Sequence, residues 1–572
     1  MQLALLKGDL RMRQRISAQT SFGAIVIALC AFSTTAQAVR HTRTAVDIPT
    51  TTRSLAGDCY LPPGAGPWPV ILIQTPYNKN LFIPIFTLEV SRNPLLKSPD
   101  YAFVVVDWRG FFGSADAKFP GCPGIGEDGY DIVEWIATQP WCDGNVGTWG
   151  ESALGTAQLL TALQRPPHLK ACVPMVCHAG DSYGLWYWGG VYFKNRNDFV
   201  ASYYGYGDLM KNHPLYDTFW MALESLAPGY ENVETPMLFV SGWYDIEPPL
   251  TIGEYQRVCE AQARKGLFES RLLIGPWGHS NLGMATQNER EYPAAEFADS
   301  RAALAFFDKH LRGLSSSGAP FDLDNPSSPI GMFQMNENVW NTTDRWPPAG
   351  AQRQTFYLRA DGGLSPRAPT EDGLRREYFS NPHQPNFTIA GALLKESDKG
   401  KQGPGDIRAL IGAGALLYQT DPMTQPLRIA GEPAATLHVQ STTVDLDLAV
   451  RMVEVLPDGT VFWVDDGVRR ASLRNDYTAK ELLTPGIPVP VVVALRPIAV
   501  TIPAGNRLGV VITSTNYDLI DINPQDGSSF MDETGAVPTS GTVTILSSAT
   551  FASQLTVPLL SETHPSRHLL VY

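Results

Sequence analysis

The chain reads as an α/β protein with a mostly parallel sheet, a helical insertion and an all-β C-terminal domain. Three observations predict this. Up to about residue 314, continuous apolar runs alternate with amphipathic helical patterns, as expected of strands covered on both faces and joined by helices. Residues 178–233 break that alternation with a stretch dense in Trp, Tyr and Phe. Past a Ser-, Pro- and Asn-rich linker at 315–328, strand patterns follow one another with only turns between them.

The 572 residues suggest two to four domains. Hydrophobic residues make up 44% and charged residues 18%, a globular composition. A net charge of −13 argues against nucleic acid as a partner, because phosphate binding needs a basic face.

Taken in order, residues 1–38 read as a signal peptide. Arg11, Arg13 and Arg15 precede an apolar run from Phe22 to Phe32, and Ala36-Gln37-Ala38 is a cleavage pattern. The run is too short to span a bilayer, so export without stable membrane insertion is expected. Met12 is an alternative start. Cleavage removes Cys30 and leaves Cys59, Cys122, Cys142, Cys172, Cys177 and Cys259. An even count in an exported chain permits disulfides, with Cys122–Cys142 and Cys172–Cys177 as pairings to consider. The spacing is not that of zinc ligands.

Residues 39–177 and 234–314 are assigned to the α/β domain. Strands are expected within 42–61, 67–77, 101–114, 145–149, 169–176, 235–249 and 271–283. Helices are expected over 126–141, with Ile132, Trp135 and Ile136 on one side, and over 153–164, 252–263 and 301–313. Residues 178–233 are assigned to a helical cap over the strand ends, and 329–572 to a β-sandwich or jelly roll.

The chemistry centres on Gly150-Glu151-Ser152-Ala153-Leu154-Gly155. A strand meets a serine in a glycine-flanked turn and a helix follows at once, the sequence form of a nucleophile elbow. A serine hydroxyl needs a base, and the base needs an orienting carboxylate. Asp245 and His279 each close a later strand, in the chain order Ser, Asp, His of α/β-hydrolases. His178 precedes Asp245 and is out of order; His310 lies late in a helix. The Ala153 N–H is one expected oxyanion donor. The Tyr77 O–H, in the loop after the 67–77 strand, is either the second donor or a packing aromatic. As base, His279 would give an activity rising with pH around a midpoint of about 6 to 7.

These residues resemble the cocaine esterase and X-prolyl dipeptidyl-peptidase group of α/β-hydrolases. The carrying stretches are Pro76-Tyr77, Asp107-Trp108-Arg109-Gly110, Gln139-Pro140-Trp141, the Ser152 turn, Gly242-Trp243-Tyr244-Asp245 and Gly275-Pro276-Trp277-Gly278-His279. The resemblance implies a hydrolase core, a helical cap and a C-terminal jelly roll. It implies Ser152 as nucleophile, His279 as base and acid, Asp245 as orienter, Tyr77 and Ala153 as oxyanion donors, and no metal or organic cofactor. The substrate it implies is a small ester or amide. Ala153 departs from the group's usual tyrosine, and Glu247 from an aromatic. Glu247 is read as facing solvent, the alternative being a seat for a cationic substrate group. Trp108, Phe111, Trp186, Trp188 and Trp243 are candidate pocket walls.

The leading expectation is an exported serine esterase. An amide-cleaving relative is the first alternative; a peptidase would need an acidic clamp for a free amine, for which Glu247 or Asp181 are candidates. The second is an inert glycan- or polymer-binding protein. The oligomeric state stays open.

Overall fold

A computed structural model describes residues 40–560 except Glu89, Val90, Pro228 and Ala413. The expected signal peptide, its cleavage point and Cys30 lie outside the described residues. In chain order the strands begin with β1 (Thr42–Ile48), β2 (Leu55–Leu61), β3 (Trp68–Thr75), β4 (Ala102–Asp107), β5 (Cys142–Glu151) and β6 (Leu169–Met175). A short hairpin, β7 (Tyr187–Trp188) and β8 (Val191–Tyr192), lies in the insertion. Then come β9 (Leu238–Gly242), β10 (Arg271–Gly275), the two-residue β11 (Thr286–Gln287) and β12 (Arg290–Glu291), β13 (Ile330–Gln334) and β14 (Val339–Thr343).

Ten of these form one sheet in the order β1-β2-β4-β3-β5-β6-β9-β10-β13-β14. From β4 to β13 its neighbours run parallel. The apolar runs are the reason: Val70, Ile71, Ile73, Phe103, Val104 and Val105 are fully buried, as strands must be when helices cover both faces. The covering helices are Ile125–Ala137, Ala153–Leu163, Pro248–Ala263 and Ala298–Arg312. Ile132 and Ile136 are buried, while Trp135 packs half-buried on Trp141. Arg109 and Asp128 form a buried ion pair at 2.6 Å that ties the loop after β4 to helix Ile125–Ala137.

One expectation is corrected at the domain border. Residues 330–343 were assigned to the β-sandwich, yet β13 pairs in parallel with β10 and carries β14 with it. A strand pattern does not say which sheet it joins, and the buried edge of β10 was there to be covered.

The insertion carries short helices Tyr183–Trp186, Lys194–Tyr204, Gly207–Lys211 and Thr218–Glu224. Tyr183, Trp186, Tyr187 and Trp220 form its core together with Phe530 and Tyr477 of the C-terminal region. Backbone bonds weld the two: Arg470 N–H to Gly189 O (2.9 Å), Asp521 N–H to Tyr192 O (3.0 Å), Asn195 N–H to Leu519 O (3.1 Å). The C-terminal domain is antiparallel and all-β. One four-stranded sheet (Leu416–Gln419, Arg507–Thr513, Asp447–Val455, Val461–Arg470) lies beside a nine-stranded one.

Neither disulfide pairing forms. Cys59, Cys122, Cys142, Cys172, Cys177 and Cys259 are all free thiols; Cys172 is buried in β6 against Thr148, and Cys177 packs on Gly155. Among the described residues no helix is long and apolar enough to cross a membrane.

A Cβ at Gly155 would lie 2.6 Å from Cys177 Sγ and 2.9 Å from Met175 O. Gly155→Ala should therefore destabilise the hydrolase domain by about 1–3 kcal/mol, read as a lower melting temperature. An unchanged melting temperature would show that the helix start can shift.

Candidate active site

Ser152 stands where β5 stops and helix Ala153–Leu163 starts. Its φ of 55° and ψ of −122° are unusual for a residue with a side chain, the strained geometry that lifts a serine hydroxyl above the sheet. Several contacts hold it there. The Ser152 N–H donates to Met175 O on β6 at 2.9 Å. Gln158, buried in the helix, donates to Gly150 O at 3.0 Å and accepts from Val173 N–H at 3.0 Å and Thr148 Oγ1 at 3.2 Å. Sequence reading did not single out Gln158; a glutamine on the buried side of an apolar helix was the available signal.

Asp245 follows β9 and is fully buried. Its carboxylate accepts backbone N–H bonds from Ile246 and Glu247 (3.2 Å for the latter). His279 follows β10 and brings Nδ1 to 3.0 and 2.9 Å from the two Asp245 oxygens. β9 and β10 are adjacent and parallel, which is why loops 34 residues apart in sequence meet. Tyr77 lies just past β3, and its hydroxyl is hydrogen-bonded to the side chains of Ser152 and Tyr204. Burial pushes the Tyr77 phenol up to about 12, with those two bonds lowering it in part. Tyr77 therefore keeps its proton near neutrality and can donate it in a hydrogen bond. Ala153 is the first residue of the helix, so its N–H is among those left free at a helix start.

Helix Lys194–Tyr204 roofs this corner. Tyr203 donates to Pro76 O at 2.6 Å, rings with Tyr77 at 5.7 Å and stacks on Phe111 at 6.2 Å. Tyr203 and Tyr204 were not singled out in the sequence; the aromatic density of the insertion was the only signal.

Glu247 does not face solvent. It is 4% exposed, and its carboxylate lies 2.8 Å from His178 Nδ1. The reason is the turn after Asp245, which sends Glu247 inward as helix Pro248–Ala263 begins. His178, set aside on chain order, is thus part of this corner: its carbonyl accepts from Thr156 Oγ1 in the first turn of helix Ala153–Leu163 at 2.7 Å. Asp181 is also engaged, accepting from Trp186 Nε1 at 3.0 Å. Arg196 is buried with its guanidinium 5.4 Å above the Trp186 ring.

The expected pocket walls divide. Phe111 faces Tyr203 and Tyr204 beside Tyr77, and Trp108 packs edge-on against Phe111. Trp186 is fully buried in the core of the insertion. Trp243 is buried against Trp346 and donates from Nε1 to Phe333 O at 2.9 Å, so it is core and not wall. Trp188 lies under the Arg496 guanidinium at the seam with the C-terminal domain. His310 packs on Phe306, and burial pushes it down to about 4.

The charges are coupled. Burial alone would lower the pKa of His279, but Asp245, and behind it Glu247 and Glu151, outweigh this and push it up to about 9. The two further carboxylates move the expected midpoint of a pH profile upward from the roughly 6 to 7 read from the sequence. For His178 burial again acts downward, and the Glu247 carboxylate raises the pKa overall. Among the described residues no group of three or more His, Cys, Asp or Glu could hold a metal ion.

A parallel sheet with a strained serine at a strand-to-helix turn defines a serine hydrolase of the α/β-hydrolase class. Comparison with known proteins agrees. The X-Pro dipeptidyl-peptidase (S15 family) model matches residues 52–207 and 201–281, and the X-Pro dipeptidyl-peptidase C-terminal non-catalytic domain model matches 325–556. Cocaine esterase of Rhodococcus sp. strain MB1 Bresler is 28% identical over 539 residues, covering 83% of this chain and 90% of its own. Two solved structures share the fold. An aminopeptidase from a marine sediment Thaumarchaeota archaeon has a TM-score of 0.79 and 20% identity, covering 93% of this chain and 98% of its own. An α-amino acid ester hydrolase has a TM-score of 0.76 and 21% identity, with coverages of 93% and 99%. The chain belongs to the cocaine esterase and X-prolyl dipeptidyl-peptidase family of serine α/β-hydrolases.

Glu247→Gln removes a negative charge that favours both imidazolium ions. His178 and His279 should then release their protons at lower pH, His178 by about one unit or more. Imidazole NMR of histidine-labelled protein reads this directly, and unmoved titrations would overturn the coupling.

Proposed function

We propose that the chain is an exported serine esterase in which Ser152, His279 and Asp245 act as the triad. The observation that carries this reading is the buried His279–Asp245 bond at 2.9 Å, in the same corner as a strained serine bonded to Tyr77. Ser152 Oγ attacks the ester carbonyl carbon as His279 takes its proton, and Asp245 holds the imidazole by Nδ1 and stabilises its positive charge. The oxyanion is held by the Tyr77 O–H and the Ala153 N–H. As the carbonyl reforms, the C–O bond to the alcohol breaks and His279 returns the proton to the leaving oxygen. Water, deprotonated by His279, then attacks the acyl-enzyme and releases the acid and free Ser152.

An ester without a free amine is favoured over a peptide with one. Glu247 and Asp181, the two candidates for holding an ammonium group, are engaged by His178 and Trp186. The relative named for an ester substrate, cocaine esterase, matches over most of both chains. Export rests on the N-terminal pattern and predicts a mature protein beginning at Val39, read by mass spectrometry of the secreted form.

A fluorophosphonate probe should label the peptide containing Ser152, and Ser152→Ala should be unlabelled and inactive on p-nitrophenyl acetate. An aminoacyl-prolyl anilide should be cleaved far more slowly. Faster cleavage of the anilide would move the assignment to peptidase. A folded wild type that takes no label and turns over no ester would move it to a binding protein. Tyr77→Phe should lower kcat about 10²–10³-fold. Because the base must be neutral and its pKa is raised, activity should climb with pH through a midpoint above the usual histidine range, toward 9. A profile already flat at about pH 7 would count against the raised pKa, and one flat from about pH 5 to 8 would count against His279 as base.

A further inference from the structure

We infer that the C-terminal β domain supplies a positioning residue, Gln402, that holds the loop carrying His279 in its working place. The inference rests on the proposed role of His279 as base.

Gln402 is fully buried and spans two domains with one amide. Its Oε1 accepts from the Ser280 N–H at 2.9 Å, and its Nε2 donates to Ser280 Oγ at 3.1 Å. Nε2 also reaches Lys395 O at 3.3 Å, within Gln402's own domain. Both partners on the hydrolase side belong to the residue that follows His279. On the other side of His279, Gly278 lies so close to Gln402 that a Cβ there would be 3.1 Å from the Gln402 Cβ. The Gly278 N–H is held in turn by Gln287 Oε1 at 2.9 Å, and Gln287 Nε2 donates to Asn281 O and Met284 O, each at 2.9 Å. His279 therefore sits between two residues clamped by buried glutamines, one from each domain.

The clamp is part of a wider seam. The β11–β12 hairpin beyond His279 meets residues 404–406, with Glu289 N–H to Pro404 O at 3.2 Å and Asp406 N–H to Glu289 Oε2 at 3.2 Å. Arg290 pairs with Glu454 of the four-stranded sheet at 2.6 Å. Tyr244, the residue before Asp245, rings with Trp463 of that sheet at 5.7 Å. Asp245 and His279 are thus both backed by the C-terminal domain. Of these contacts, Gln402 is the one that bonds next to the base. A buried loop that must keep an imidazole within hydrogen-bond reach of serine tolerates little displacement, since about 1 Å can cost about 100-fold in rate.

The test compares full-length Gln402→Ala and Gln402→Glu with wild type and with Gln440→Ala. Gln440 bonds an exposed turn of the same domain, donating to Gly486 O at 2.7 Å. Rates on p-nitrophenyl acetate are divided by the sites counted at the end point of fluorophosphonate labelling. Gln402→Ala should lose about 10- to 100-fold in kcat with KM within about twofold. Gln402→Glu keeps an acceptor for the Ser280 N–H and adds a carboxylate near His279. It should recover most of the loss at high pH, with its profile moved to higher pH. Gln440→Ala should match wild type. The inference is overturned if Gln402→Ala keeps wild-type kcat per site, or if its loss disappears once rates are divided by live sites. An active Ser152→Ala would instead sink the esterase reading; an inert Ser152→Ala beside a fully active Gln402→Ala sinks this inference alone.

Discussion

The structure turns on the crowding where β5 gives way to helix Ala153–Leu163. The helix begins while β5 is still paired with β6, so the serine between them must take a positive φ. Such a conformation costs on the order of 1–3 kcal/mol and persists only where its surroundings over-determine it. Here they do. The Ser152 amide is bonded to Met175 O, Gly155 rests on the same carbonyl and on Cys177, and Gln158 bolts helix to both strands.

Around it the protein buries charge in pairs. Asp245 with His279 and Glu247 with His178 give two carboxylate–imidazole contacts, linked by the bond from the Glu247 N–H to the Asp245 carboxylate. Isolated, any of these charges would be costly to bury. Paired, they form one electrostatic unit, so the proton affinity of His279 is a property of the group and not of the imidazole alone. The same pairing takes Glu247 out of contention as a free anionic seat.

The third element is the seam between domains. The insertion is bonded by backbone to the C-terminal domain and touches the hydrolase core through Tyr203 and Tyr204. That domain also reaches the His279 loop through Gln402. The helix over Tyr77 and the loop carrying His279 are therefore both referred to the β domain.

Sequence alone determined the class. Unbroken apolar runs dictate buried parallel strands, and the serine turn, Asp245 and His279 were legible because each stands in a loop closing such a run. Local chemistry suffices there: a glycine-flanked turn and a strand end are properties of neighbours in the chain. What depended on distant partners was not legible. The sheet that β13 would join, the inward turn of Glu247 toward His178, the burial of Trp186 and Trp243 and the reach of Gln402 to Ser280 all involve pairs far apart in sequence. The composition of a strand or the charge of a glutamate is the same whichever neighbour it meets. Only the tertiary structure decides which neighbour that is, and with it whether a side chain walls a pocket, fills a core or holds a loop of the other domain.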